Sequence, residues 1–221
     1  MTYPTFHNLI GCEWLPAVSG KTILNLNPAN HSDVVGAFPS SHADDVDLAV
    51  AAAKQASSSW RLVPAPKRAE ILVRAGLLLK EGKEQYARDM ARDMGKVLAE
   101  TCGDAREAID EAFYVADERR RLFGQTTPSE LQNKFAMSVR MPLGVVGLIT
   151  PWNFPMAIPS WKLFPALVPG DTCIIKPASH TPLSARQIPL QHLLRRSGLS
   201  NHCACCYSSQ AESKIAQGIA A

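Results

Sequence analysis

The stretch PLGVVGLITPWNFP, residues 142–155, decides the fold of this 221-residue chain. Its first half, Val145–Thr150, is a near-continuous apolar run, typical of a strand buried on both faces of a parallel sheet. A rigid polar turn and a helical segment over 155–168 follow, and then a second apolar run, Asp171–Lys176. This order predicts a right-handed β–α–β unit, so the fold class is α/β. Ligands bind outside the carboxyl ends of strands in such sheets, which points to the residues that follow each strand.

The overall composition is that of a globular protein and excludes several classes of partner. Hydrophobic residues make up 46% of the chain, charged residues 19%, and the formal net charge is +3. So weak a charge excludes nucleic acid and an anionic membrane as the main partner, and no apolar run is long enough to predict a membrane span. The six cysteines are isolated or crowded near the end, which is cytosolic usage, so a cytoplasmic location is expected.

The first half of the chain predicts short antiparallel strands followed by helices. Runs rich in β-formers, punctuated by Gly and Asn, indicate strands at 9–14, 22–26 and 34–38. Ser41 and Asp44 have the spacing of a capping box for a helix that reaches about residue 57. Three further helical segments are predicted: one from Pro64 and Pro66 to Gly82, one over 83–94 with Gly95 as its C-cap, and one over about 97–122.

Residues 125–141 change from a helical to an extended pattern. Thr126–Pro128 and Phe135–Met141 predict two strands joined by a polar turn. A two-stranded hairpin has little core of its own, so we expect it to pack on another surface, such as another subunit.

Three motifs in this region are similar to those of the aldehyde dehydrogenase family, in the family's order and spacing: PWNFP at 151–155, WKLFPALVPG at 161–170 and IKPASHTPLS at 175–184. The resemblance covers roughly residues 5–185. It implies the N-terminal part of a Rossmann-like cofactor domain with a protruding β-hairpin. It further implies oxidation of an aldehyde substrate to a carboxylate, with NAD or NADP as the cofactor.

The resemblance divides the chain into four parts. Residues 1–122 correspond to the N-terminal strands and helices of the cofactor-binding domain, and 123–142 to an oligomerisation hairpin that implies a homo-oligomer. Residues 143–185 correspond to the first β–α–β of the Rossmann-like sheet. Residues 186–221 diverge from the family, and we expect this tail to be poorly ordered and to contain no further strand. We therefore expect a truncated chain that lacks the family's catalytic cysteine and general-base glutamate and is inactive alone.

The resemblance also assigns roles to residues at the two strand ends. Asn153 matches the family's oxyanion-binding asparagine, whose amide N–H stabilises the alkoxide formed when a thiolate attacks an aldehyde. Lys176 matches a lysine that contacts the adenosine ribose. Ser179 stands where NAD-preferring members commonly have glutamate, so we expect NADP to be accepted. The turn lining the nicotinamide side of the cofactor is matched by Ile149, Thr150, Pro151 and Trp152.

Each assignment has a purely structural alternative. In the structural alternatives, Asn153 only caps the following helix and Lys176 is a solvated lysine at a strand end. Ser179 only begins a turn, and Trp152 is a packing residue. The competing function is that of a non-catalytic interaction subunit, which would dock on an intact paralogue through the hairpin.

The tail contains side chains of metal-ligand type, namely His202, Cys203, Cys205 and Cys206. Structural zinc sites use paired C-x₂₋₄-C motifs, and the tail has no second pair. No metal site is therefore predicted.

Overall fold

The computed structural model describes residues 2–187 and the strand Cys203–Cys205. The chain begins with four strands, β1 Asn8–Ile10, β2 Glu13–Leu15, β3 Thr22–Asn27 and β4 Asn30–Pro39. β1 pairs with β2 and β3 pairs with β4, both antiparallel, which confirms small antiparallel strands in this region. The single run predicted at 9–14 is wrong in its extent, because a turn at Gly11 and Cys12 divides it into β1 and β2.

Three long helices follow: α1 Ala43–Trp60, α2 Ala65–Met94 and α3 Leu98–Asp117, the last extended by a 3₁₀ turn at Glu118–Arg120. The capping box of α1 is formed by His42 and Asp45, one residue later than the sequence predicts. The predicted break at Gly82 is wrong, because α2 is continuous. A helical glycine costs only about 1 kcal/mol relative to alanine, and the ring of Tyr86 packs against Gly82. Gly95 does end α2, in the left-handed conformation.

A small hairpin separates the helices from the second part of the sheet. Its strands, β5 Thr126–Thr127 and β6 Ala136–Met137, are antiparallel. The apolar side chains around it face solvent, with Phe135 73% exposed. The others are Met137, Val139 and Met141. Within the described residues the hairpin therefore lacks a core, as the sequence pattern predicts, and its use in oligomerisation stays a prediction.

The β–α–β unit is present as predicted. It consists of β7 Val145–Ile149, α4 Ala157–Leu167 and β8 Thr172–Lys176, and the short helix α5 Pro182–Arg186 follows. β7 and β8 are parallel, with Val145 opposite Thr172 and Ile149 opposite Lys176. This register brings the carboxyl ends of both strands to one edge of the sheet.

The expectation that the tail contains no strand is wrong. Residues Cys203–Cys205 form β9, which lies between β8 and β1 and gives the sheet order β2-β1-β9-β8-β7. β9 is parallel to β8 and antiparallel to β1. Three residues are too few for a periodic signal, whereas the facing backbone groups of β8 and β1 require partners. The predicted disorder of the tail otherwise concerns residues outside the described part.

The main core lies between the helices and the sheet. Its largest fully buried side chains include Phe38, Leu79, Met90 and Phe164, and α3 packs on α4 within it. Among the described residues, no helix combines the length and apolarity needed to cross a bilayer.

Candidate functional site

The carboxyl ends of β7 and β8 lie side by side and bring the predicted residues together. The backbone N–H of Thr150 donates to the Lys176 carbonyl oxygen at 3.2 Å, which extends the ladder by one bond. Ile149 is 40% exposed at this edge, whereas Lys176 is only 3% exposed. The reading of Lys176 as a solvated surface lysine is therefore wrong.

Thr150 adds a polar group that the fold leaves unused. Its side chain is buried, and its hydroxyl Oγ1 has no hydrogen-bond partner among the described residues. Most buried polar atoms in proteins are satisfied, so an orphan hydroxyl at a strand end suggests a missing ligand or water. This hydroxyl, beside Lys176, suits the polar groups of a dinucleotide.

The turn after β7 presents Asn153 to solvent. The residue is exposed, and its side-chain amide has no hydrogen-bond partner in the described part of the chain. The alternative role as a helix cap is wrong, because the N-cap of α4 is Met156. The first α4 amide, that of Ala157, donates instead to Asp104. Asn153 therefore keeps an available N–H group of the kind that stabilises an oxyanion.

Trp152 and Ser179 line a cavity of about 580 Å³ beside the strand ends. Trp152 is 57% exposed, so its ring is not buried as that of a packing residue would be. Ser179 is half-buried. The other predicted residues, Ile149, Thr150, Pro151 and Lys176, do not line this cavity, and Pro151 is exposed. The remaining lining residues are Leu24, Asn25, Leu26, Pro28, Asp93, Met94, His180 and Thr181.

Asp93 is a cavity residue that the sequence analysis missed. One carboxylate oxygen accepts hydrogen bonds from the Ser184 backbone N–H at 2.8 Å and from the Ser184 hydroxyl at 2.5 Å, and the other accepts from Asn25. This carboxylate therefore joins α2 to α5 and β3. The available signal was an acidic residue on the apolar stripe of α2, three positions after the buried Met90.

Burial raises the pKa of Asp93 to about 6, and the hydrogen bonds from Ser184 and Asn25 only partly oppose this rise. Burial likewise raises the pKa of Asp104 to about 6. A raised carboxyl pKa means that the folded state binds a proton more readily than the unfolded state does. The charged forms of both groups therefore cost folding free energy near neutral pH.

We expect the free energy of unfolding to rise when the pH falls from about 7 to about 5, by about 1 kcal/mol for each of these two carboxyls. Denaturant unfolding of the chain and of Asp93→Asn and Asp104→Asn at both pH values measures the effect. Each substitution should remove its share of the pH dependence. Asp110→Asn, at an exposed position, is the matched control. Equal pH dependence in all four proteins would contradict the expectation.

The chain is similar to known proteins along most of its length. The sequence model of the aldehyde dehydrogenase family matches residues 14–216, a range that extends beyond the motifs and includes β9. The alpha-ketoglutaric semialdehyde dehydrogenase of Bacillus subtilis (strain 168) is 40% identical over 184 residues, which are 83% of this chain and 38% of that protein. The NADP(+) succinate-semialdehyde dehydrogenase GabD of Escherichia coli (strain K12) is 40% identical over 191 residues, 86% of this chain and 39% of that protein.

Solved structures give the same result. An NADP-dependent enzyme of E. coli superposes with a TM-score of 0.88 at 36% identity, covering 97% of this chain and 44% of that one. A 3,6-anhydro-L-galactose dehydrogenase determined in complex with NAP superposes with a TM-score of 0.87 at 29% identity, covering 93% of this chain and 43% of that one. The chain thus spans about two fifths of the length of the relatives it matches. By sequence, motifs and fold, it belongs to the aldehyde dehydrogenase family.

Proposed function

We propose that this chain supplies the oxyanion amide and part of the cofactor site of an NAD(P)-dependent aldehyde dehydrogenase, and that it is inactive alone. The observation that carries the proposal is the exposed, unpartnered amide of Asn153, which follows the end of β7, where Ile149 lies opposite Lys176. An anion formed at a substrate carbonyl needs a fixed donor of this kind, and the turn provides one.

The chemistry follows the family's reaction. A nicotinamide cofactor bound at this edge would supply the hydride acceptor for the oxidation. The Asn153 side-chain N–H donates to the carbonyl oxygen as negative charge develops on it. No residue of this chain matches the family's thiolate nucleophile or its glutamate base, so the step that forms the anion has no nucleophile within the chain. The relatives named above carry semialdehyde substrates in their names, and an aldehyde of that class is the first to assay.

The cofactor would rest on the edge formed by both strand ends. Ile149, Thr150, Pro151 and Trp152 would line its nicotinamide side, with the orphan Thr150 hydroxyl available for a hydrogen bond. Lys176 would contact the adenosine ribose, and Ser179 would stand near the ribose hydroxyls. A neutral serine there does not repel a 2′-phosphate, so we propose that NADP is accepted alongside NAD. A cytoplasmic location is proposed on the cysteine usage alone.

A hybrid enzyme tests these assignments. In it, residues 14–187 of this chain replace the matching segment of the E. coli NADP(+) succinate-semialdehyde dehydrogenase, which supplies the rest of the protein. Formation of NADPH from succinate semialdehyde by the hybrid would support the proposal. A folded hybrid without turnover would contradict it.

In the same hybrid, we expect Ser179→Glu to shift the preference from NADP toward NAD. The carboxylate can accept from both ribose hydroxyls and repels a 2′-phosphate, so the ratio of kcat/KM for NADP to that for NAD should fall by about tenfold or more. Steady-state kinetics with both cofactors measure this ratio. Ser179→Gln, which adds length without charge, is the control. An unchanged ratio in Ser179→Glu would refute the assignment of Ser179.

The second candidate function is a non-catalytic subunit that docks on an intact aldehyde dehydrogenase. It is favoured by the exposed apolar side chains of the 123–142 hairpin, such as Phe135 and Met137. The same surface would serve a homo-oligomer of this chain. Co-expression with the E. coli relative, followed by size analysis of the complexes, separates the two, because only the docking function yields mixed assemblies.

A further inference from the structure

Lys96, which lies just before α3, contacts the first part of the turn that carries Asn153. Its Nζ donates to the backbone carbonyl oxygen of Asn153 at 2.8 Å and lies 4.0 Å from the centre of the Phe154 ring. Phe154 in turn stacks with Trp161 of α4, with ring centres 6.3 Å apart. One ammonium therefore holds two consecutive turn residues, by a charge-assisted hydrogen bond and by a cation–π contact.

Asp104 of α3 contacts the other end of the same turn. Its Oδ1 accepts a hydrogen bond from the backbone N–H of Ala157, the first residue of α4, at 2.7 Å. A carboxylate at a helix N-terminus interacts favourably with the helix dipole. The residue is only 1% exposed, however, and its Oδ2 has no hydrogen-bond partner among the described residues.

A buried carboxylate with a hydrogen bond to only one of its two oxygens is unfavourable for stability. Removing such a charge from water costs more than one hydrogen bond returns, and a neutral cap at this site would avoid the cost. Departures of this kind from the rules of stable packing concentrate at functional sites. Lys96 lies two residues before α3 and Asp104 lies within its first two turns, so the start of one helix contacts residues 151–157 at two points.

We propose that Lys96 and Asp104 are positioning residues, which hold the Asn153 turn in a single conformation so that its amide meets the oxyanion. The assignment of the oxyanion to Asn153 rests on the proposed function, whereas the support of the turn does not. Neither residue touches the reacting atoms. Their part is orientation, for which a displacement of about 1 Å can lower a rate by roughly 100-fold.

The charges around Asp104 provide a signature of this support. Burial is the main cause of its raised pKa, and the N–H groups of Ala157 and Met156 and the Lys96 ammonium oppose it, while Glu107 adds a small rise. Removing the Lys96 ammonium should therefore raise the pKa of Asp104 further. Trp152, in the turn itself, is an internal fluorescent reporter of the protonation step.

The test uses the full 221-residue chain and follows hydrogen exchange in the peptide that covers residues 150–158. We expect exchange to become about tenfold faster in Lys96→Met and in Asp104→Ala, as for the loss of one net hydrogen bond. Lys96→Arg should restore protection, because it keeps the cation. Arg106→Gln is the matched control, since Arg106 is an exposed cation of α3 that pairs with Asp110.

A fluorescence titration completes the test. Asp93, which lines the cavity with Trp152 and also has a pKa of about 6, is replaced by Asn in every protein of this series. The Trp152 signal should then change near pH 6 with Asp104 present, at a higher pH in Lys96→Met and no longer near pH 6 in Asp104→Asn, with Trp152→Phe confirming the source of the signal. Unchanged exchange in both Lys96→Met and Asp104→Ala would overturn the proposal. Exchange that accelerates equally in α2 would also overturn it, because it would mark a global stabilising role. Failure of the proposed function would be seen separately, as an Asn153→Ala hybrid that keeps its kcat.

Discussion

We expect the purified 221-residue chain to form no reduced nicotinamide from an aldehyde, with either NAD or NADP. Removing the nucleophile of an enzyme typically costs about 10⁶-fold in kcat, and the general base adds to that loss when present. Among the described residues, Cys173 is the second residue of β8 and is fully buried, and Cys12 and Cys102 are half-buried in the β1–β2 turn and in α3. None follows the carboxyl end of β7 or β8, where the cofactor would bind.

The expected lack of turnover is measured by the absorbance of reduced nicotinamide, with a semialdehyde as substrate. The hybrid enzyme described above is the positive control, because it contains the same residues 14–187 with a complete catalytic segment. Turnover by the chain alone would contradict the expectation if it disappeared when a tail cysteine, such as Cys203, was replaced by serine. Turnover that survives every such replacement would indicate a contaminating enzyme.

We expect Asn153→Ala to lower kcat of the hybrid by roughly 10²–10³-fold, the usual cost of one oxyanion donor. The amide interacts with charge that exists only after attack on the carbonyl, so the KM values for aldehyde and cofactor should change little. Since the Asn153 side chain has no partner among the described residues, its removal should not destabilise the fold.

Steady-state kinetics and a thermal melt of the same variant separate chemistry from stability. Gln132→Ala is the matched control, because it removes another exposed side-chain amide, from the hairpin. A kcat loss below about threefold in Asn153→Ala would refute the oxyanion role. An equal loss in Gln132→Ala would show that the effect comes from assembly rather than from the turn.

Much of the fold and of the site could be predicted because both are encoded locally. The apolar runs at β7 and β8 and the turn after each strand placed Asn153 and Lys176 at one edge of a parallel sheet, and the register of Ile149 with Lys176 agrees. The break predicted at Gly82 failed for a physical reason. A local propensity of about 1 kcal/mol is smaller than the burial of the continuous apolar face of α2.

By itself, then, the sequence determined the family, the β–α–β unit and the candidate oxyanion residue, since each depends on neighbours within a few positions. Only the tertiary structure decided the rest. Asp93 meets Ser184 across 91 positions, Asp104 meets Ala157 across 53, and Lys96 meets Asn153 across 57. β9 lies in the sheet between β8 and β1, which are distant from it in the sequence. Contacts between residues so far apart in the sequence produce no periodic pattern in it, because the fold, rather than the local chain, brings the partners together.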